Sequence, residues 1–203
     1  MQLRHRTTLT SEEYVTQKAW RQARLEVCPQ HGGGGCGFTR HGTYPRLDPP
    51  GMRVARWYCP DAQVTFSLLP DFLSARLSGS LDEVERAVIA SEESTVEAAA
   101  QAVRVDAIEL PGAVRWLRRR RRGVRTALLA LITAMPGRLG AVGEVRAIRA
   151  VLGTDRALVA LREIGSGHLQ ALPHPLGFCP PPQRACESAR PVQHETGPDP
   201  PGT

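Results

Sequence analysis

Residues 28–60 read CPQHGGGGCGFTRHGTYPRLDPPGMRVARWYCP, and this stretch decides how the rest of the chain divides. Three of the five cysteines of the chain fall here, among glycines and prolines and without a helical period. Cys28-Pro29-Gln30-His31 is a Cys-x-x-His pair, which can pinch one metal ion from a tight turn. Glycines 32–35 let the backbone fold closely around such an ion. FTRHGTYPRL and MRVARWYC read as two short strands joined by Asp48-Pro49-Pro50-Gly51, a strong turn signal. That hairpin brings Cys59 back to complete a tetrahedral set. The expected ligands are Cys28, His31, Cys36 and Cys59, with His41 as the substitute, around one structural zinc. The alternative is three buried or free thiols in a loop-rich hairpin, because a full second knuckle would read Cys-x-x-Cys and position 62 is alanine. Glu26 is the one glutamate close to these ligands in sequence, and the hairpin offers no evident pocket, so a catalytic zinc is not expected.

Upstream, residues 1–9 read as a loose basic arm. Thr10 or Ser11 can cap a helix over about 11–26, with Glu12 and Glu13 in its first turn. Downstream, Phe66 to Pro70 leads out of the hairpin unit and helices dominate. Ser80 with Glu83 makes a capping box, ahead of an apolar stripe of Leu81, Val84, Val88 and Ile89. A second helix fits 94–104. Pro111 suits the first turn of a third, running to about Ala134. Two shorter helices fit 142–152 and 154–164, separated at Gly153 with Thr154 as a cap. Nine of the 31 residues from Pro173 onward are proline, so the tail is expected to be disordered. The expected fold class is therefore α+β and mostly helical. It divides into an arm and helix (1–27), a zinc-ribbon-like β-hairpin unit (28–70), a helical DNA-binding region (71–172) and a proline-rich tail (173–203).

The chain has 203 residues, 41% of them hydrophobic but only 5% aromatic, so the core must rest mainly on Ala, Val, Leu and Ile. Of the 26 basic residues one, Lys18, is lysine, and the net charge is +6. Arginine suits phosphate oxygens and guanine edges, although a GC-rich genome gives the same bias. Its placement is more telling. On the third helix, with Val114 at zero, Arg125, Arg118, Arg122, Arg115 and Arg119 fall between roughly 20° and 140°. Val114, Leu117, Val124, Leu128 and Leu131 fall between roughly 260° and 360°. One side can dock on neighbouring helices while the other presents five arginines to a polyanion. Arg121 intrudes near the apolar side, where it would snorkel outward, and Trp116 lies away from it. A solvated face without a partner is the alternative, but adjacent like charges repel and a polyanion relieves that repulsion.

Cys-Pro near the start, HGTYPR, ARWYCP and TFSLLPD together resemble the zinc-ribbon head of bacterial insertion-sequence transposases. STVEAAAQAVR followed by LPGAVRWLRRRRR is similar to the helix-turn-helix that follows such ribbons. The resemblance covers about residues 28–125. It implies binding to transposon ends, with the metal on Cys28, His31, Cys36 and Cys59 and with Arg115, Arg118, Arg119 and Arg122 facing DNA. Two departures stand out: Ala62 occupies a ligand position, and residues 105–110 exceed a three- or four-residue turn. Nothing after residue 80 reads as a catalytic sheet with clustered carboxylates, and glycines 32–35 lack the Lys-Ser/Thr of a phosphate loop. The expectation is a transposase-like accessory protein or truncated transposase that binds duplex DNA, with a transposase or a second copy as further partners and without enzymatic activity. The competing expectations are a protein-interaction module and, behind it, an RNA-binding protein. MQLRHRTTLTSEEY lacks the apolar core of a secretory signal and the longest apolar run is too short for a bilayer, so a cytoplasmic, nucleoid-associated location is expected.

Overall fold

The computed structural model describes residues 1–103, 109–139 and 143–179. It is an α+β fold with one four-stranded sheet and six α-helices among those residues. The strands are β1 (Gln2–His5), β2 (Thr39–Pro45), β3 (Arg53–Cys59) and β4 (Val64–Pro70). Their spatial order is β1-β4-β3-β2, with β1 parallel to β4 and the other pairs antiparallel.

The expected hairpin is present as β2 and β3, and Gly51 takes a left-handed φ of 75° in the turn between them. Two differences enlarge the sheet. The segment leading out of the hairpin is itself a strand, β4, and it pairs with β3 along five residues from Ala55↔Leu68 to Cys59↔Val64. The N-terminal arm is not loose, since Gln2 to His5 add to the far edge of β4. QLRH carries no apolar alternation, and its pairing partner lies more than sixty residues away, so no local pattern marks it.

The expected helix over 11–26 is also shorter. Thr10 and Glu13 form a capping box, and α1 spans Ser11–Thr16. Lys18 then adopts φ 51°, which ends the α-helix, and a single 3-10 turn follows at Ala19–Arg21. Tyr14, Trp20 and Ala23 are buried from three different local conformations, which is why they make no helical stripe.

The remaining helices are α2 (Leu81–Glu93), α3 (Val96–Val103), α4 (Leu110–Ala134), α5 (Val145–Leu152) and α6 (Ala157–Ile164). The capping box at Ser80 and Glu83 and the break at Gly153 are as the sequence indicates, but Thr154 does not cap the next helix, since α6 starts at Ala157 with Arg156 in the N-cap position. The first-turn amides of α5 and α6 are capped from a distance instead. Glu92 accepts from Val145 and Arg146, and Glu85 accepts from Ala157 and Leu158. Both carboxylates sit on α2, seven residues apart and thus on one face.

One core joins the sheet to the helices. It includes Tyr14, Val54, Leu69, Phe72, Val88, Leu128, Leu131, Ile148 and Leu161. It also includes Leu176 and Phe178, so the expected disorder from Pro173 does not hold through residue 179. A separate apolar cluster lies at the cysteine end of the sheet, where Phe66 packs with Cys28, Cys36 and Cys59.

Candidate metal centre and arginine face

Cys28 and His31 are the two ends of a tight turn, closed by the His31 amide donating to the Cys28 carbonyl at 3.1 Å. The chain then needs a sharp reversal to deliver Cys36. Gly34 and Gly35 supply it with φ near +80°, a conformation open to glycine and costly for other residues. Cys59 ends β3, and the turn from Pro60 to Gln63 feeds β4. In that turn the Ala62 amide donates to Cys59 Sγ at 3.4 Å. Position 62 therefore orients the cysteine through its backbone, while its methyl packs in the cluster.

The four ligand atoms of Cys28, His31, Cys36 and Cys59 all lie within 4.8 Å of one another. His31 Nδ1 is 3.6 Å from Cys28 Sγ and 3.4 Å from Cys59 Sγ. Tetrahedral zinc with bonds of about 2.3 Å to sulfur and about 2.0–2.1 Å to nitrogen places its ligands roughly 3.5–3.8 Å apart. The spacing thus suits a single small ion held by three thiolates and one imidazole. All three thiols are buried. Phe38 stacks on Trp57 at 5.3 Å and meets Phe66 edge-on at 5.9 Å beside them. Burial pushes the Cys28 thiol up, but the Gln30 and His31 amides and the His31 and Cys59 side chains bring it down to about 7. Cys36 is raised by burial and by the two thiols beside it. Such an arrangement favours one thiolate first and the rest only when a cation shares the site.

The structure separates the two histidine alternatives. His31 is in the cluster; His41 is exposed on β2, with its ring 5.5 Å from that of Tyr58. His174 and Cys179 do not join the four, and Cys186 and His194 lie outside the described residues.

The second candidate surface is α4. Arg115, Arg118, Arg119, Arg122 and Arg125 are all exposed, and among the described residues Arg118 alone of these forms an ion pair, with Glu97 of α3 at 2.9 Å. The docked face differs from the one expected. Ala113, Leu117, Arg120, Gly123, Val124, Ala127, Leu128 and Leu131 are buried. On the same wheel these span roughly 180° to 320°, so the helix is turned by about 50° from the position the apolar stripe suggests. Arg121 consequently reaches solvent and joins the exposed arginines, whereas Arg120 goes inside. Arg120 lies 3.7 Å above the Trp116 ring and donates to the carbonyl and hydroxyl oxygens of Ser78. Burial, helped by Arg119 next to it, lowers its pKa to about 10. The sequence holds no sign of which arginine in an unbroken run turns inward. That is decided by the Ser78 loop and by Trp116, which sits under Arg120.

The long connection expected at 105–110 falls mostly outside the described residues, and α4 begins at Leu110. No helix among the described residues is long and apolar enough to cross a membrane. No family model, curated protein or solved structure matches the chain.

Proposed function

We propose that this chain is a non-catalytic DNA-binding protein of transposase-like type, an accessory or truncated transposase, with a structural zinc in the cysteine/histidine cluster. The observation that carries the reading is the exposed side of α4, where six guanidiniums share one rigid helix and one of them is paired with a carboxylate. The helix is held by its buried face, so its arginines project from a fixed frame. Fixed guanidiniums suit phosphate oxygens and, where the helix enters the major groove, guanine edges. In this reading α3 and α4 act as a helix-turn-helix-like pair, with Ala99 and Ala100 packed on Ala113 and Leu117.

The metal set is three thiolates and one imidazole, four ligands in all, which leaves no open position for a reacting water. Cys28, His31, Cys36 and Cys59 would tie the 28–36 loop to the β3–β4 turn. When bound, zinc would supply a cross-link between these two segments, beside the apolar cluster they already share.

The test is Arg118→Ala combined with Arg122→Ala, assayed on duplex DNA over a range of salt. Both side chains lie outside the core, so the double variant should fold. If each meets a phosphate, the slope of log affinity against log salt should fall by about two units in magnitude. If one reads a guanine, its loss should cost about 1–3 kcal/mol and relax preference at one base pair. An unchanged affinity and slope in a folded variant would reject this helix and raise the protein-interaction reading. Structured RNA that outcompetes duplex DNA would move the assignment to RNA.

A further inference from the structure

The four strands contain no aspartate or glutamate: they read QLRH, TRHGTYP, RVARWYC and VTFSLLP. The carboxylates next to β4, Asp61 and Asp71, lie in the turns at its two ends, and Asp71 is held by Arg4 at 2.6 Å. The two faces of the sheet have different fates. One carries Leu3, Ala55, Trp57, Cys59, Phe66 and Leu68, and is closed by the cysteine cluster, Ala23 and Leu25. The other is closed at one end only, where Val54 and Leu69 enter the main core.

Toward the cysteine end, that second face is open. Thr39, Tyr58 and Thr65 form one cross-strand row, and Arg56, Ser67 and Gln2 form the next. These side chains are exposed or partly exposed. Three of the four strand arginines are engaged elsewhere. Arg4 pairs with Asp71 and Glu163, Arg40 donates to the Trp20 and Arg21 carbonyls, and Arg53 donates to Thr43. Arg56 has no hydrogen-bond or ion-pair partner among the described residues. The Met1 amine donates to the Thr65 carbonyl beside this row, and burial, then the charges of Arg76 and Arg56, lowers its pKa from the ordinary value; Arg76 itself donates to the Phe178 carbonyl at 3.2 Å. His41 lies against Tyr58 on the other flank.

We propose that this open end of the sheet, centred on Arg56 and Tyr58, is a second phosphate-binding surface for the backbone of duplex DNA. The proposal rests on the DNA-binding reading of α4. Charge complementarity selects the occupant, because a free guanidinium sits among hydroxyl donors with no carboxylate in the surrounding strands. Phosphate oxygens are the usual acceptors for arginine, serine, threonine and tyrosine side chains together. Arg56 and Ser67 in one row and Tyr58, Thr39 and Thr65 in the next present donors from adjacent strands, which lie about 4.8 Å apart. Ser67, Thr39 and Thr65 are too short to reach base edges from a pleated face, and with them Arg56 is placed to meet phosphate, so the contact positions the duplex without reading its sequence.

The experiment compares the full chain, Arg56→Gln, Arg56→Lys and the Arg118→Ala/Arg122→Ala variant on one duplex across a salt series. Metal content and thermal unfolding monitor the fold. Arg56→Gln should lower the salt slope by about one unit, weaken unrelated sequences equally and add to the helix double variant. Arg56→Lys keeps the point charge and should retain the slope. If the helix variant lowers the slope while Arg56→Gln leaves it unaltered, the sheet surface is rejected and the α4 reading stands. A parent chain without salt-dependent binding overturns both.

Discussion

His31 and His41 are ten residues apart on opposite sides of one glycine-rich loop, and either could have completed a three-cysteine set. The turn geometry makes the choice. His31 is pinned by its own amide to the Cys28 carbonyl, and its Nδ1 faces two thiols. His41 follows Arg40 on β2 and points to the Tyr58 ring. Cys59→Ser and Cys28→Ser should therefore each abolish binding of one zinc per chain, whereas His41→Ala should keep it. Elemental analysis of the purified variants checks this. Zinc retained in Cys59→Ser, or lost in His41→Ala, would contradict the assigned ligands. The ligand types and spacing were legible in the sequence, because Cys-x-x-His is a local pattern. The role of Ala62 was not, because its contribution is a backbone amide aimed at Cys59 Sγ.

At the scale of elements, α2 organises the helical half. Its first turn caps itself through Ser80 and Glu83, and its inner carboxylates cap α5 and α6. Glu85 is fully buried and also receives Arg149 Nε at 2.6 Å. Removing the carboxylate leaves two helix amides and a guanidinium without their acceptor. Glu85→Ala should cost about 3–5 kcal/mol, the range for breaking a buried pair. Glu85→Gln keeps one acceptor oxygen and should cost less. Denaturant midpoints measure both, and exchange of the Ala157 and Leu158 amides should accelerate in the alanine variant. Equal midpoints for Glu85→Ala and the parent would show that α6 does not depend on this cap. The existence of α2 through α6 follows from apolar spacing, with a local capping box at α2, whereas the N-terminal caps of α5 and α6 come from α2. The orientation of α4 does not, because Arg120 contributes a long aliphatic stem and a Trp116 contact to the buried side while a sequence count scores it as charge.

For the whole molecule, the chain after α6 closes the core from outside. Leu176 and Phe178 are buried, and Arg162, itself fully buried, donates to the carbonyls of Asp71, Leu73, Pro175 and Leu176. Burial lowers its pKa to about 9, which leaves it charged at neutral pH. Its planar fork binds the end of β4 to the 173–178 segment, a geometry that lysine cannot copy. A chain ended at residue 172 should lose two buried apolar side chains at about 1.5–3 kcal/mol each, and two of the four acceptors of Arg162 as well. Thermal unfolding should show a drop of many degrees. A chain of unchanged stability would mean that Arg162 and the core close without this segment. By itself the sequence determined the α+β class, the hairpin, the helices with local caps, the candidate metal ligands by type and the concentration of arginine on one helix, because each is written in contacts a few residues apart. The tertiary structure decided the β1–β4 pairing, the inward turn of Arg120, the distant caps of α5 and α6 and the packing of residues 173–178. Each of these joins groups tens of residues apart, and their free energy depends on burial that no local pattern records.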